Sequence, residues 1–446
     1  MSDAKLTRRA ALNRFAAVGA GLTVVPRHVL GGPGYQAPSD TLNIACIGVG
    51  GKGSSDVRGV SGENIYALCD VDDERGGRTF ERFPKAKRYR DYREMLEKEA
   101  DNIDAVTVST PDHNHAAASI MAMRLGKSVF CQKPLARSLH EVRVMRAVAR
   151  ETGVATQMGN QGHANDSTRV MREWVEAGVI GAVREVHYWT NRPIWPQGID
   201  RPEETIAVPS TLDWDLWLGP APERPYNPAY APFAWRGWWD YGTGALGDIA
   251  CHSMDAAFWA LDLHYPTRIV AETTPVNNET APTTSRIVYD FPARNDRGPI
   301  KVVWRDGGLT PPMPSDTGLG NRWPVDPIGG QLWVGDDGML LAGVYGESPR
   351  ILDRERHREL LENPLPETYA RSPGHYEEWI AASKGGEPAG SSFDGHSGPL
   401  TEMVLLGNFA VRSGRAVEID PETGEILTDG IPEEYFRPPY RDGWSL

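Results

Sequence analysis

Two short stretches, far apart in the chain, carry groups suited to moving a proton and stabilising a developing charge. One is Gln132-Lys133-Pro134, at the end of an apolar run; the other is Gly247-Asp248-Ile249-Ala250-Cys251-His252. On a helix, Asp248 and His252 stand i and i+4 and share a face. A carboxylate one turn from an imidazole can hold its tautomer and stabilise the imidazolium as it takes a proton. An ammonium in a closed site has a depressed pKa and can polarise a reacting hydroxyl, which suits Lys133. Each residue also has a plainer reading. Lys133 would then be a surface lysine in a turn before proline, Asp248 a helix cap and His252 a packed ring.

A third stretch binds rather than reacts. Gly48-Val49-Gly50-Gly51-Lys52-Gly53 follows the apolar run Leu42–Ile47 and precedes a helix-compatible segment. In that context Gly48 permits a tight turn, Gly50 lets the backbone approach a pyrophosphate and Gly53 allows close helix–strand packing. The exposed N–H groups at the helix start, Gly51 and Lys52 included, favour an anion. Asp70 ends the next strand, where a carboxylate grips ribose hydroxyls. Asp70, Asp72 and Asp73 together repel a 2′-phosphate, so NAD is favoured over NADP; Lys52 and Arg75 are the nearby cations that would reverse this. Two further strand ends are polar: Thr110-Pro111-Asp112-His113-Asn114-His115 and Gln157-Met158-Gly159-Asn160-Gln161. From them Thr110, Pro111, His113, His115 and Asn160 join the glycines, Lys52, Asp70 and Lys133 as candidate cofactor contacts.

The elements that must position these groups alternate over the first part of the chain. Strands are expected at Leu42–Ile47, Asn64–Cys69, Ala105–Ser109, Ser128–Cys131 and Val154–Met158, with helices at Arg93–Glu99, His115–Leu125 and Leu139–Glu151. That order predicts a doubly wound parallel sheet over residues 41–160. Residues 161–446 read differently, with strands at Val183–Thr190, Thr267–Thr274, Thr284–Phe291, Ile300–Trp304 and Gln331–Val334 and few helices between them. One helix is expected from Gly247 to about Leu261 and others at Tyr376–Ser383 and Leu400–Ser413. The second domain is therefore α+β with an open, mostly antiparallel sheet.

Together the Gly48–Gly53 turn, the Thr110–His115 string, Gln132-Lys133-Pro134 and Asp248 with His252 resemble the Gfo/Idh/MocA oxidoreductases, a family named in part for glucose–fructose oxidoreductase and inositol dehydrogenase. The resemblance runs over about residues 41–440. It implies a Rossmann domain, NAD or NADP, a sugar, polyol or glycoside substrate, and a nicotinamide pocket lined by Lys133, Asp248 and His252 as the catalytic set. Gln132 stands where that family usually shows Glu, which removes a carboxylate expected beside Lys133. The stretch Thr156–His163 and the tryptophan-rich insert resemble an exported subgroup.

Of 14 tryptophans, eight fall between Trp189 and Trp259. Aromatic faces suit the C–H faces of sugars while Arg and Asp read hydroxyls, which singles out Arg192, Trp195 and Trp238 as candidate substrate contacts. Most of these rings have an equally good use filling a core. The net charge of −13 and the lack of a basic run exclude a nucleic-acid-binding role.

At the front, Lys5, Arg8 and Arg9 precede the apolar run Phe15–Val25 and a Gly/Pro linker. The run is about half the roughly 20 residues of a membrane span. It reads as a twin-arginine export signal within residues 1–40, implying passage through the twin-arginine translocase to the periplasm. Cys46, Cys69, Cys131 and Cys251 form no C-x-x-C pair and read as small buried hydrophobes. No metal centre is expected. Export away from a replenished NAD pool favours a tightly held cofactor that is recycled within one catalytic cycle. Two alternatives remain open: glycoside cleavage through a keto-sugar, and a non-catalytic NAD-bound sugar-binding protein. A homo-oligomer, dimer or tetramer, is expected.

Overall fold

A computed structural model describes residues 40–315, 319 and 322–446. The export segment expected at residues 1–40 lies, apart from Asp40, outside the described residues. The apolar runs of the first part form six parallel strands: β1 (Asn43–Ile47), β2 (Asn64–Cys69), β3 (Lys87–Tyr89), β4 (Ala105–Val108), β5 (Ser128–Cys131) and β6 (Thr156–Met158). Their order is β3-β2-β1-β4-β5-β6. β4 and β5 are buried at every residue, as strands covered on both faces must be, so their pattern is a continuous apolar run rather than an alternation. The order reverses between β1 and β4, and a ligand crevice opens at the carboxyl ends of strands at such a point.

Over residues 41–160 the expected strands and helices are present with ends shifted by one or two residues, and one helix and one strand there were not expected. The helix Asp73–Arg82 contains Gly76 and Gly77, each costing about 1 kcal/mol against alanine, and forms because Asp72 caps it through the amides of Glu74 and Arg75 while Phe80 is buried. The edge strand β3 is too short and polar to show a period.

The second sheet has eight strands: β7 (Val183–Thr190), β8 (Arg268–Thr273), β9 (Ser285–Phe291), β10 (Ile300–Arg305), β11 (Gly329–Gly335), β12 (Met339–Gly343), β13 (Arg350–Ile351) and β14 (Val417–Glu418). Their order is β13-β12-β11-β7-β10-β9-β8-β14, antiparallel throughout except for the pair β7 and β10. One face carries Val186, Tyr188, Ile287, Tyr289, Val302, Trp304 and Trp333 into the main core with the helix Gly398–Ser413. Gly407 lets that helix approach: a Cβ there would lie 2.0 Å from the Tyr289 hydroxyl. On the opposite face, Glu272, Arg286 and Lys301 are wholly or partly exposed. β12 was not expected because four of its five residues are buried, which hides the strand period.

The single helix expected from Gly247 to about Leu261 is instead two, Gly244–Ser253 and Asp255–Ala260, broken at Met254. Residues Leu42–Leu446 pack as one unit, and late segments return to the first sheet. In the helix His375–Ser383, Tyr376 and Trp379 pack on Phe130 of β5 at 5.2 and 5.7 Å between ring centroids. The Met158 amide of β6 donates to the Ser391 carbonyl at 3.0 Å. All four cysteines are free and buried. Among the described residues, no helix is long and apolar enough to cross a membrane.

Candidate active site

The glycine turn is built on contacts that leave no room for side chains. Gly48 leaves β1 at φ +75°, its amide donating to the Cys69 carbonyl at 2.8 Å, and a Cβ on it would lie 2.7 Å from the Ser109 carbonyl oxygen. A Cβ on Gly53 would lie 1.9 Å from the Gly48 oxygen, and one on Gly50 would lie 2.9 Å from the Arg75 oxygen. Beyond this turn is a cavity of about 770 Å³, lined on this side by Gly48, Gly50, Gly51, Lys52 and Asp70. The helix Lys52–Gly59 begins there, so its first amides, which have no intrahelical partner, face an anion site. This cradle fits a dinucleotide diphosphate.

Asp70 ties the turn to β2. One carboxylate oxygen accepts from the amides of Val49 and Gly50 at 2.8 and 3.1 Å, and the other accepts from Asp72 at 3.0 Å. Burial raises its pKa, against the pull of these three amides. Lys52 is paired with Asp56 at 2.5 Å, and the Arg75 guanidinium lies against Gly51. Asp70, Asp72 and Glu74 all line the cavity, so its adenosine end is acidic with Arg75 as the neighbouring cation. Asp70→Ser is expected to lower the preference for NAD over NADP about tenfold, the equivalent of roughly 1.4 kcal/mol. Cofactor titrations with each dinucleotide read this directly, and an unchanged ratio would remove Asp70 from ribose recognition.

At the other end of the cavity the two reactive stretches meet. Lys133 Nζ donates to the Asp248 carbonyl at 2.7 Å and to its carboxylate at 2.9 Å. Arg236 reaches the same carboxylate oxygen at 3.1 Å, and Arg192 the other at 3.5 Å. Arg236 also pairs with Asp112 at 3.1 Å, and Thr243 donates to Asp112 at 2.7 Å. Cations and carboxylates therefore alternate through Lys133, Asp248, Arg236 and Asp112. Burial would raise the Asp248 carboxyl, but Lys133 and Arg236 hold it well below the usual range. Burial likewise pushes the Lys133 ammonium below its ordinary value, with Asp248 opposing.

His252 lines the same cavity, its ring edge-on to Tyr345 at 4.8 Å. Its Nδ1 is enclosed and has no hydrogen-bond partner. Burial and the nearby Lys133 hold its pKa well below 6.5, so the imidazole is neutral at ordinary pH. The expected support of His252 by Asp248 is not what the structure shows, because the Asp248 carboxylate is occupied by Lys133, Arg236 and Arg192. Asp248 orients the lysine.

Several other candidates lie elsewhere. Gly53 packs beneath the turn rather than lining the cavity. His113 is buried with Nε2 2.9 Å from the Trp217 carbonyl and Nδ1 3.3 Å from that of Tyr241; burial depresses its pKa to about 3, so the neutral ring donates to only one of the two and packs against the insert. His115 spans the carbonyls of Pro134 and Thr110, both at 2.8 Å. Bonding two acceptors requires both ring nitrogens to donate. Burial opposes that charge, but Cys131, Asp112 and the Pro134 carbonyl lift its pKa to about 9. It ties two strand-end loops together, while Thr110 and Pro111 do line the cavity. Asn160 is fully buried, bonded to Asp255 and Ser391.

Trp238 is also fully buried, donating to Ala229 and packed on Tyr230, and Trp195 is sealed by its bond to Gln197. The aromatic wall is instead Trp235, with the Arg236 guanidinium 4.2 Å from its ring centroid, together with Trp217 and Tyr345. Nothing in the local sequence singles out Arg236, Asp112 or Tyr345; only the fold converges them. No metal centre is expected from the sequence; among the described residues, His163, Asp255 and His396 bring one ligand atom each within 4.8 Å of one another in the interior.

Gln132 does not leave Lys133 short of a carboxylate, since Asp248 supplies one. Its amide turns away to the buried Asp56 at 3.0 and 3.2 Å, where Lys52, Ser109 and Tyr376 also converge. A glutamate at 132 would set two buried carboxylates against each other. Gln132→Glu is expected to cost about 3 kcal/mol of stability, read by denaturant unfolding. The double variant with Asp56→Asn should recover most of it, and an undiminished loss would show that the two residues are not coupled.

Comparison with known proteins agrees with this geometry. The profile of the oxidoreductase family's NAD-binding Rossmann fold matches residues 42–160, and that of its C-terminal alpha/beta domain matches residues 172–297. The myo-inositol 2-dehydrogenase of Thermotoga maritima is 27% identical over 180 residues, 40% of this chain and 52% of that protein. A glycosyl hydrolase family 109 protein of Shewanella pealeana is 30% identical over 174 residues, 35% of this chain and 38% of its own length. The chain thus spans about half or less of the curated relatives it matches. The WlbA dehydrogenase of Bordetella pertussis, solved with NADH and UDP-GlcNAcA, superposes with a TM-score of 0.59 at 17% identity, covering 85% of this chain and 99% of that one. That likeness shows a shared fold. With both family profiles matched in order, and the glycine cradle and Lys133 opening onto one cavity, the chain belongs to the Gfo/Idh/MocA family of oxidoreductases.

Proposed function

We propose that the protein oxidises a secondary alcohol of a sugar, polyol or glycoside, using NAD held in the glycine cradle. The observation that carries this reading is that Lys133, Asp248 and His252 line the same cavity as the Gly48–Gly51 turn. When bound, NAD accepts the hydrogen and electron pair removed from the carbinol carbon. The protein's own groups deal with the proton and the charge. Lys133 has three N–H donors, two of them spent on Asp248; the third holds the substrate oxygen as it gains negative charge. His252 takes the hydroxyl proton on Nε2, the ring nitrogen that is not enclosed. Arg236, Arg192 and the Trp235 face orient the polyol, in keeping with pockets where a few polar groups fix a ligand against an apolar wall.

The twin-arginine pattern of the first residues supports export to the periplasm by the twin-arginine translocase. Export in turn supports a cofactor retained and re-oxidised within each cycle, its hydride passed on to a second carbonyl compound or back to the same sugar. The likeness to a protein named as a glycosyl hydrolase supports the second reading, in which the transient ketone acidifies a neighbouring C–H, loss of that proton expels the aglycone, water adds across the resulting double bond, and the hydride held by the cofactor is returned to the ketone. Association of copies through the outer face of the second sheet is also proposed, and light scattering reads it.

The deciding experiment denatures freshly purified protein and identifies the released dinucleotide by mass spectrometry, then incubates native protein with a panel of sugars, polyols and glycosides without added NAD. New products with retained NAD support the proposal; full dependence on added NAD removes the recycling. A protein that binds these compounds but converts none, with or without NAD, removes the enzyme.

A further inference from the structure

Behind the cavity, three segments distant in sequence converge on one carboxylate. Asp255 begins the helix Asp255–Ala260, His163 lies in the turn Gln161–Ala164 after β6, and His396 lies in the turn Phe393–Ser397 that leads into the helix Gly398–Ser413. His163 Nδ1 stands 3.0 and 3.1 Å from the two Asp255 oxygens, and His396 Nε2 stands 2.6 Å from one of them. One ligand atom from each residue falls within 4.8 Å of the other two, the imidazole centroids are 4.3 Å apart, and all three residues are buried.

Two imidazoles and a carboxylate form a donor set for a divalent transition metal. Around a tetrahedral ion with ligands at about 2.0–2.1 Å, neighbouring ligand atoms lie about 3.3 Å apart. To reach that spacing the two histidine–carboxylate edges, now 3.0 and 2.6 Å, need to open by tenths of an ångström, and the two imidazole nitrogens, within 4.8 Å of each other, need to close toward the ion. An outer partner is already in place, since Asn160 donates to Asp255 at 2.8 Å and is itself fixed by Ser391 at 2.6 Å. Such second contacts orient a ligating carboxylate. None of the three residues lines the catalytic cavity, so an ion here would be structural.

We propose that His163, Asp255 and His396 bind one divalent transition-metal ion, with zinc the best match to the donors, and that it clasps three segments together. The end of β6, the helix that follows His252 by three residues and the returning carboxyl-terminal segment are fastened at one point. The site fixes the height of the helix pair carrying Asp248 and His252 against the first sheet.

The test uses the full chain. Elemental analysis of protein isolated without chelator should find about one zinc per chain, and removal with dipicolinate should lower Tm by about 5 °C or more, restored by zinc chloride. His396→Phe keeps the ring volume without a ligand nitrogen and should hold no zinc, while still binding NAD. If that variant does not fold, cobalt(II) added to the stripped wild-type protein should give visible d–d bands. Protein without stoichiometric metal, with a Tm indifferent to chelator and zinc and no cobalt spectrum, would overturn the proposal and leave a hydrogen-bonded His–Asp–His cluster. Zinc retained in full by His396→Phe would overturn it as well.

Discussion

Lys133→Met is expected to lower turnover about 10³-fold, within the range for losing a positioned acid or a charge-stabilising donor, while NAD affinity changes little. The methionine fills similar volume, and Asp248 keeps Arg236 and Arg192 as partners, so the fold should persist. What disappears is the ammonium N–H that meets the substrate oxygen as it gains negative charge. The pH profile gives an independent readout. His252 must be neutral to accept a proton, and its pKa lies well below 6.5, so activity falls on acidification only once the pH drops below that value. Lys133 must be charged, and its pKa lies below 10.5, so the alkaline limb arrives earlier than for an ordinary lysine. Residual turnover of Lys133→Met should lose the alkaline limb and keep the acid one; His252→Asn should do the reverse. Full turnover in Lys133→Met, measured as substrate converted, would end its catalytic assignment.

The parts of this molecule that are legible in its sequence are those where one residue's local geometry constrains its chemistry. A Gly-x-Gly-x-x-Gly turn between a strand and a helix can do little besides approach another backbone, and β1 and the helix Lys52–Gly59 flank it as the pattern requires. Lys133 and Asp248 end up 2.9 Å apart because Lys133 follows the carboxyl end of β5 at the crevice and the helix Gly244–Ser253 presents its middle turn there. Direction is what the sequence withholds. In the Thr110–His115 string, Thr110, Pro111, Asp112 and Asn114 line the cavity while His113 and His115 turn to backbone carbonyls beside them. A single 3-10 turn, Asp112–Asn114, sends neighbouring side chains to different surroundings. The tryptophans mislead for a related reason: Trp235 and Trp238 are one turn apart, yet one lines the cavity and the other is sealed beneath it. Arg236 acquires its place only through carboxylates brought in from Asp112 and Asp248, and the His163–Asp255–His396 group spans more than half the chain.

Gly53 carries the second large effect, although it never meets the ligand. Gly53→Val is expected to weaken NAD binding at least about 100-fold, equivalent to roughly 2.7 kcal/mol, and to lower Tm measurably. The cause is steric and local. The first side-chain carbon would lie 1.9 Å from the Gly48 carbonyl oxygen and 3.2 Å from Ser109 Cβ. Neither obstacle can swing aside, because the oxygen is backbone and the Gly48 amide is held by Cys69. The helix start must therefore retreat from β1, or Gly48 must give up its φ of +75°. Either movement displaces the amides of Gly51 and Lys52 from the diphosphate position, where a shift of about 1 Å undoes a preorganised anion site. Gly51, at φ +50° but with only the Arg75 guanidinium within reach of a Cβ, provides the internal control. Gly51→Ala strains the backbone yet meets a side chain that can move, so its loss of affinity should be smaller. Calorimetric titration of both variants with NAD, alongside circular dichroism to establish folding, separates the two cases. Equal losses would mean that close packing under the turn is not what shapes the cradle.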